Sequence, residues 1–499
     1  MHNLGFTGSL ANFSIRHKFF VVLFWIVLFF VGGFFASGIG EYTENDQGFV
    51  TEPESEQALS LYTKYFRQGE SIALAENIIV SSTNNQTINN ESFKNLVLTI
   101  TDEVRYLESS VKSVTNFYET NLRSLVSIDD KVTLIPVDLK GTYQNSSLTA
   151  KPFVELINKL DEENKDFQIL TSGFASINLN FEEVAEKDLT SEIAVMPFAL
   201  IVLLLVFGAF VASVIPMILG LIAIVVTIGI CAIISRFYPL NIFVANIVLT
   251  IGLAVGIDYA LFIMDRFREE RSKGVEKVDA ILNASKTSSR AVLFSGFTVM
   301  VSLIGMFIVP TDIFRSLGLG SIIVVIMAIF TSLTLLPAIL AILGDNINRL
   351  QIPLLSQKYK EESKFWSAIA VNVMKFKIIG IAIPAIILVF LSVQYFNITI
   401  GASGVETLPE DNRARIAFEL LDETFLSGGI TTPILIVAEN KNNEQEALLA
   451  GFLRLNEEII NSKAFGPILA YETTDSKEAF VLTVAPLGSA TSGSATNSV

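Results

Sequence analysis

Seven stretches of this chain are apolar almost without a break, at 19–38, 193–212, 214–235, 241–264, 291–309, 317–343 and 378–396. Each approaches or exceeds the roughly 20 residues that a helix needs to cross a bilayer. Between the first and second runs the pattern changes to short segments. "SEQALSLYTKYF" has helical period, "ENIIVSS" reads as a strand, and "ESFKNLVLTITDEVRYL" carries apolar Phe93, Leu96, Leu98 and Val104 at helical spacing. "VKSVTNFYE" and "KVTLIPVDL" read as strands, "KPFVELINKLDEEN" as a helix opened by Pro152, and "DFQILTSG" as a strand. After the opening helix the order is β-α-β-β-α-β, the split βαβ pattern. "FEEVAEKDLTSE" then leads back to the second run. The expected fold is an α-helical membrane bundle of seven transmembrane helices with extracytoplasmic α+β, ferredoxin-like porter domains.

The pattern also repeats. Displacing residues 16–66 by 359 positions puts Arg16 and Lys18 on Lys375 and Lys377, and Ala58, Leu61 and Phe66 on Ala417, Leu420 and Phe425. "TPILIVAE", "EQEALLAGFLRLNEEII", "PILAYET" and "EAFVLTVAP" follow as strand, helix, strand, strand. Six crossings separate the copies, so the repeat is parallel, a recognised transporter design. The second copy stops after its third strand, in "LGSATSGSATNSV". A complete second half would bring the chain to roughly 700 residues. The expectation is a truncated second copy, and the alternative is a natural short protein.

Composition agrees with membrane residence. Hydrophobic residues make up 51% of the 499, charged residues 17%, and the mean hydropathy is +0.53. "RHK" before the first run resembles a signal-peptide start, but the run is long for a signal core and its design recurs late in the chain. One cysteine, Cys231, excludes a disulfide framework or a Cys-based metal site. His2 and His17 leave a catalytic triad almost nothing to use. No enzyme, cofactor or metal is expected.

Fifteen Lys and Arg fall at the N-terminus, in 265–290 and in 344–377, against Arg236 and Arg315 in the opposite loops. That asymmetry puts the N-terminus inside. The expected domains are a cytoplasmic tail (1–18), the first span (19–38), an extracytoplasmic domain (39–192) and spans two to six (193–343). The cytoplasmic loop 265–290 interrupts these spans. A cytoplasmic linker (344–377), the seventh span (378–396) and an incomplete second outer domain (397–499) follow. Most of the chain's net charge of −15 lies in 39–192, which disfavours nucleic acid as a partner. Sequons at Asn85, Asn90 and Asn145 suit an exposed surface there. "RFREERSKGVEKVDAILNA" reads as an amphipathic inner segment anchored at the membrane surface.

One acid interrupts the fourth run: Asp258, in "AVGIDYALF". A central membrane Asp costs about 2.5–3.5 kcal/mol on insertion scales, and pumps use such carboxylates as proton relays. Ala254, Ile251 and Ile247 share its helical face, while Gly252 and Gly256 form a G-x-x-x-G beside Tyr259. Small residues at that spacing admit a neighbouring helix, so Asp258 is expected at a helix–helix interface. Tyr259 could hydrogen-bond a neighbouring carboxylate. Asn246, Thr250, Ser295, Thr298 and Ser302 are candidates for a polar path. The plainer reading is a structural Asp satisfied by a backbone or hydroxyl partner.

"GIDYALF" (256–262), "RFREER" (266–271) and "TSSRAVLFSGFTV" (287–299), in an arrangement of one helix, an outer domain, five helices and a repeat, carry a family resemblance. The chain resembles the first half of a resistance–nodulation–division (RND) transporter of the MMPL branch, plus part of the second repeat. The resemblance implies a multi-pass protein of the cytoplasmic membrane that exports lipids or other hydrophobic small molecules, with protons as the coupling ion. It also implies that Asp258 and Tyr259 form one side of a relay. The opposing pair, on a tenth helix, would come from a missing C-terminal half or a second copy in an oligomer. A lipid- or sterol-sensing protein, or a secretion accessory of the same fold, is the alternative.

Overall fold

A computed structural model describes residues 5–44, 51, 53–66, 74–141, 146–351, 364–397, 404–425, 434–440, 445–462, 465–474 and 478–486. Asn145, residues 352–363 of the expected linker and the tail after Pro486 lie outside them. In chain order the elements are α1 (Gly5–Arg16), α2 (Lys18–Ala36), β1 (Thr43–Glu44), α3 (Glu54–Phe66), β2 (Leu74–Ser82), α4 (Glu91–Arg105), β3 (Val111–Val114), α5 (Phe117–Thr120), β4 (Val132–Leu139), α6 (Ser146–Glu163) and β5 (Phe167–Gly173). Then come α7 (Phe174–Phe207), α8 (Phe210–Ser235), β6 (Leu240–Asn241), α9 (Val244–Ser272), α10 (Lys277–Ile304), α11 (Asp312–Phe330), a π-helical segment (Thr331–Leu335) and α12 (Leu336–Leu343). The last are α13 (Lys364–Lys375), α14 (Lys377–Val393), α15 (Arg413–Thr424), β7 (Ile434–Glu439), α16 (Gln445–Ser462), β8 (Phe465–Thr473) and β9 (Ala479–Pro486). They form two compact units, one of Met1–Thr51 with Ala185–Gln394 and one of Glu52–Val184 with Tyr395–Val499.

The first unit is helical. Six described helices are long and apolar enough to cross a membrane: Lys18–Ala36, Phe174–Phe207, Phe210–Ser235, Val244–Ser272, Lys277–Ile308 and Asp312–Asn348. The seventh expected span is part of a pair, Ser367–Lys375 and Lys377–Val393, bent by 101°. α8 and α9 sit at the centre, where Leu219, Ala223, Val244, Val248 and Ala260 are buried. Glycines permit the closest crossings. A Cβ on Gly229 of α8 would come within 2.6 Å of the Gly32 Cα of α2.

The charged segment 265–290 is not one continuous amphipathic helix. It is the end of α9 and the start of α10, joined by a turn in which Gly274 takes φ +84°, a conformation most side chains resist. Arg266 reaches Glu270 at 2.7 Å, Asn283 of α10 donates to the same carboxylate at 3.0 Å, and Arg271 grips Asp345 through two bonds of 2.8 and 2.5 Å. Charges four residues apart on a helix meet each other, and here they also tie helix ends together. Similarly, the expected tail at 1–18 contains the three-turn helix α1.

The second unit is α+β. One antiparallel sheet has the order β3-β4-β2-β5, the other β7-β9-β8. Strand side chains alternate between faces. Ile78 and Val80 of β2 therefore join a core with Phe93, Ile100, Phe153 and Ile157 of α4 and α6, while Ile79 between them meets Ala417 and Leu421 of α15. Arg413 of α15 holds Asp161 at 2.8 Å. α3 lies along β7, where Tyr65 donates to Glu439 at 2.7 Å and Lys64 pairs with it at 2.9 Å. The strand expected over "VKSVTNFYE" ends at Val114. Asn116 accepts the Glu119 N–H as a helix cap, and Asn121 closes that turn at φ +59°.

Candidate functional site

The two sides of α9 differ. Its glycines face α8 and α11: a Cβ on Gly256 would lie 2.8 Å from the Gly220 Cα, and one on Gly252 would meet Ile224 and Val324 at 2.4 and 2.8 Å. At about 100° per residue, Asp258 points elsewhere. It is exposed on this chain and lines a groove of about 440 Å³ with Thr250, Leu253, Ala254 and Ile257 of α9 and Val195 and Ala199 of α7. The helix that the glycines admit is thus α8, and the interface expected at Asp258 is not made by the described residues.

Tyr259, one residue on, turns inward. Its ring is buried, and its hydroxyl meets the Ser295 side chain of α10 beside Gly296, where a Cβ would stand 3.1 Å from that oxygen. Thr250 opens to the same groove as Asp258 and donates to the Asn246 carbonyl at 2.9 Å. The Asn246 amide donates to the Ala185 carbonyl at 3.0 Å, while its own side-chain oxygen is buried without a partner among the described residues. Thr298 donates to the Phe294 carbonyl at 3.0 Å, and Ser302 is exposed farther along α10. The candidates therefore fall into two groups. Thr250 and Asp258 open to the groove with Asn246 one turn before Thr250, Tyr259 and Ser295 meet between α9 and α10, and Thr298 and Ser302 stand apart from both on α10.

The packing yields a direct prediction. A side chain at Gly256 must push α8 away, so Gly256→Val should cost about 1–3 kcal/mol. Ala254→Val, on the groove side, should cost little. The thermal midpoint of the detergent-solubilised protein, followed by size exclusion, separates the two.

Two features had no advance reading. In the π-helical segment, Thr334 accepts the Trp25 indole N–H at 2.9 Å, and the buried Ser332 hydroxyl has no partner among the described residues. In the second unit, Glu76 of β2 is 1% exposed. Its Oε1 accepts the Ala175 and Ser176 N–H groups at 2.8 and 3.0 Å, and Thr171 donates to its Oε2 at 3.3 Å. Those amides open α7, so the carboxylate caps that helix from a neighbouring strand. Gly173 makes room, since a Cβ there would lie 2.5 Å from the carboxyl carbon. Burial raises the pKa of Glu76 above the usual carboxylate range, against the opposing pull of its hydrogen bonds.

A family model described as the MMPL family matches residues 49–376. The chain is 39% identical over 210 residues to the mycolic acid-containing lipids exporter MmpL11 of Mycolicibacterium smegmatis, covering 42% of this chain and 22% of that protein. It is 29% identical over 340 residues to the trehalose monomycolate exporter MmpL3 of the same organism, covering 62% and 34%. It is 32% identical over 260 residues to the membrane protein YdfJ of Bacillus subtilis, covering 52% and 35%. The chain thus spans about a fifth to a third of the length of these relatives.

Proposed function

Because this chain belongs to the MMPL family of the RND superfamily, we propose that it takes part in proton-driven export of lipids or other hydrophobic molecules from the cytoplasmic membrane. Two of its relatives are named as lipid exporters. The observation that carries the coupling is Asp258, a carboxylate on an open groove within a membrane-spanning helix. A charge facing hydrocarbon is costly, and such residues face a bundle interior or a polar cavity. A further helix therefore covers this face, supplied by the rest of a longer protein or by a second copy. Asp258 exchanges protons there, Thr250 and Asn246 extend the polar face, and Tyr259 and Ser295 transmit the change to α10. The basic loops lie inside, and the second unit lies outside. Its two sheets act as paired ferredoxin-like porter domains of a parallel repeat, where substrate is handled.

The energy is sufficient. One proton descending 100 mV releases about 2.3 kcal/mol. At 1.4 kcal/mol per tenfold, that biases a two-state bundle up to roughly 50-fold. The test is flux of a fluorescent glycolipid in proteoliposomes, read by dithionite quenching in one leaflet. An imposed pH gradient is expected to drive it and a protonophore to stop it. Flux that ignores the protonophore would refute proton coupling.

A further inference from the structure

α1 is an amphipathic helix turned inside out. Thr7, Gly8, Ala11 and Ser14 face inward, and that face packs on α10, α12 and the π-helical segment. Phe6 and Phe13, 69% and 50% exposed, face outward on one stripe with Ser9 and Arg16. At 100° per residue those four fall within a quarter-turn of one another. A helix facing water buries its large apolar side chains and exposes its small polar ones. Here the large rings are out and the small residues in.

The outward stripe continues into the first span. Phe19, Phe20, Leu23 and Phe24 of α2 are exposed on a helix that crosses the membrane. Arg16 ends α1, Lys18 opens α2, and His17 joins them. Aromatic groups below and basic groups beside them match the boundary between acyl chains and anionic headgroups.

We propose that α1 is a lipid-binding element. It lies in the plane of the leaflet on the side of the basic loops, with Phe6 and Phe13 inserted between acyl chains and Arg16 and Lys18 at the headgroups. Its occupant is the bilayer surface, chosen because the stripe is continuous with a face already in lipid. The inference holds whether or not the bundle moves protons.

Cys231 is the chain's one cysteine and is buried, so site-directed spin labelling is direct. In a Cys231→Ser background, Phe6→Cys, Phe13→Cys and, for comparison, Leu23→Cys in the span each receive a nitroxide. The protein is reconstituted in mixed phosphatidylcholine–phosphatidylglycerol vesicles. Labels at 6 and 13 are expected to be relaxed by oxygen and shielded from a water-soluble nickel chelate, at a depth shallower than the label at 23. Nickel accessibility at both positions would overturn the proposal, because the stripe then faces water. Dipolar broadening between labels at both positions would also overturn it, because a second copy then covers the stripe.

Discussion

Replacing Asp258 by asparagine is expected to leave a protein that inserts and folds but no longer couples export to the proton gradient. Asparagine nearly matches the carboxylate in size and cannot exchange a proton. The position lines an open groove and not the glycine-packed side of α9, so the substitution disturbs no contact with α8. If one proton per cycle supplies about 2.3 kcal/mol at 100 mV, its loss removes up to roughly 50-fold of the bias, and gradient-driven glycolipid flux falls to that without a gradient. Asp258→Glu, which retains a titrating carboxyl, should keep part of the flux. Size exclusion of the fluorescently tagged protein reports folding, and a pH-sensitive dye in the vesicle lumen reports proton movement. Gradient-driven export by the asparagine variant at the original rate would refute the relay.

The covering helix can be sought separately. With Cys231→Ser as background, Asp258→Cys is expected to form a disulfide-linked dimer on mild oxidation if a second copy faces the groove. It stays monomeric if the opposing helix belongs to a longer form of the same chain. Residues at 258 that remain exposed to lipid in the assembled protein, by oxygen relaxation of a spin label, would contradict a covering helix from either source.

Which residues would lie in helices was legible, because hydrophobic runs of spanning length leave few alternatives. Each of the apolar runs two to six overlaps a long helix, but α7 begins at Phe174 and α10 at Lys277, well before the runs at 193 and 291, because polar residues continue a helix that an apolar run alone does not delimit. The direction in which Asp258 points was not legible. Sequence periodicity places Gly252, Gly256 and Asp258 around one helix but does not say which side the neighbour takes, and α8 takes the glycine side. Glu76 was hidden for a different reason. It opens the strand read from "ENIIVSS", beside Asn77 and ahead of the apolar Ile78, Ile79 and Val80, and its partners are backbone amides 99 and 100 positions away, groups that no side-chain pattern reveals. α1 escaped notice because its small buried residues carry no hydrophobic signal, while its exposed Phe6 and Phe13 do. The turn at 273–276 and the pairing of Arg266 and Arg271 were not legible, because charge density along a sequence does not say which charges meet.

The buried cap at Glu76 should be the most sensitive point of the second unit. Glu76→Ala strands the N–H groups of Ala175 and Ser176 in a site with no water access, at about 1–3 kcal/mol for each unsatisfied group, so a loss of roughly 3–5 kcal/mol is expected. Glu76→Gln keeps an amide oxygen for both donors and should cost much less. Neither variant titrates at position 76, so both lose the pH dependence that Glu76 gives the wild type. An unfolded glutamate titrates near 4.3, and burial raises the folded value. The folded state therefore holds the proton more tightly. The stability that this contributes is full below about pH 4.3 and is lost as pH rises through the raised folded pKa. Hydrogen exchange of the full protein is the direct measure. After correction for intrinsic rates, protection of the Ala175 and Ser176 amides is expected to decline as pH rises across that window. Glu76→Gln should flatten the decline, and Glu76→Ala should remove protection at every pH. Protection that instead rises with pH in the wild type would mean that the carboxylate's hydrogen bonds outweigh its burial, and the cap would then be a charged latch.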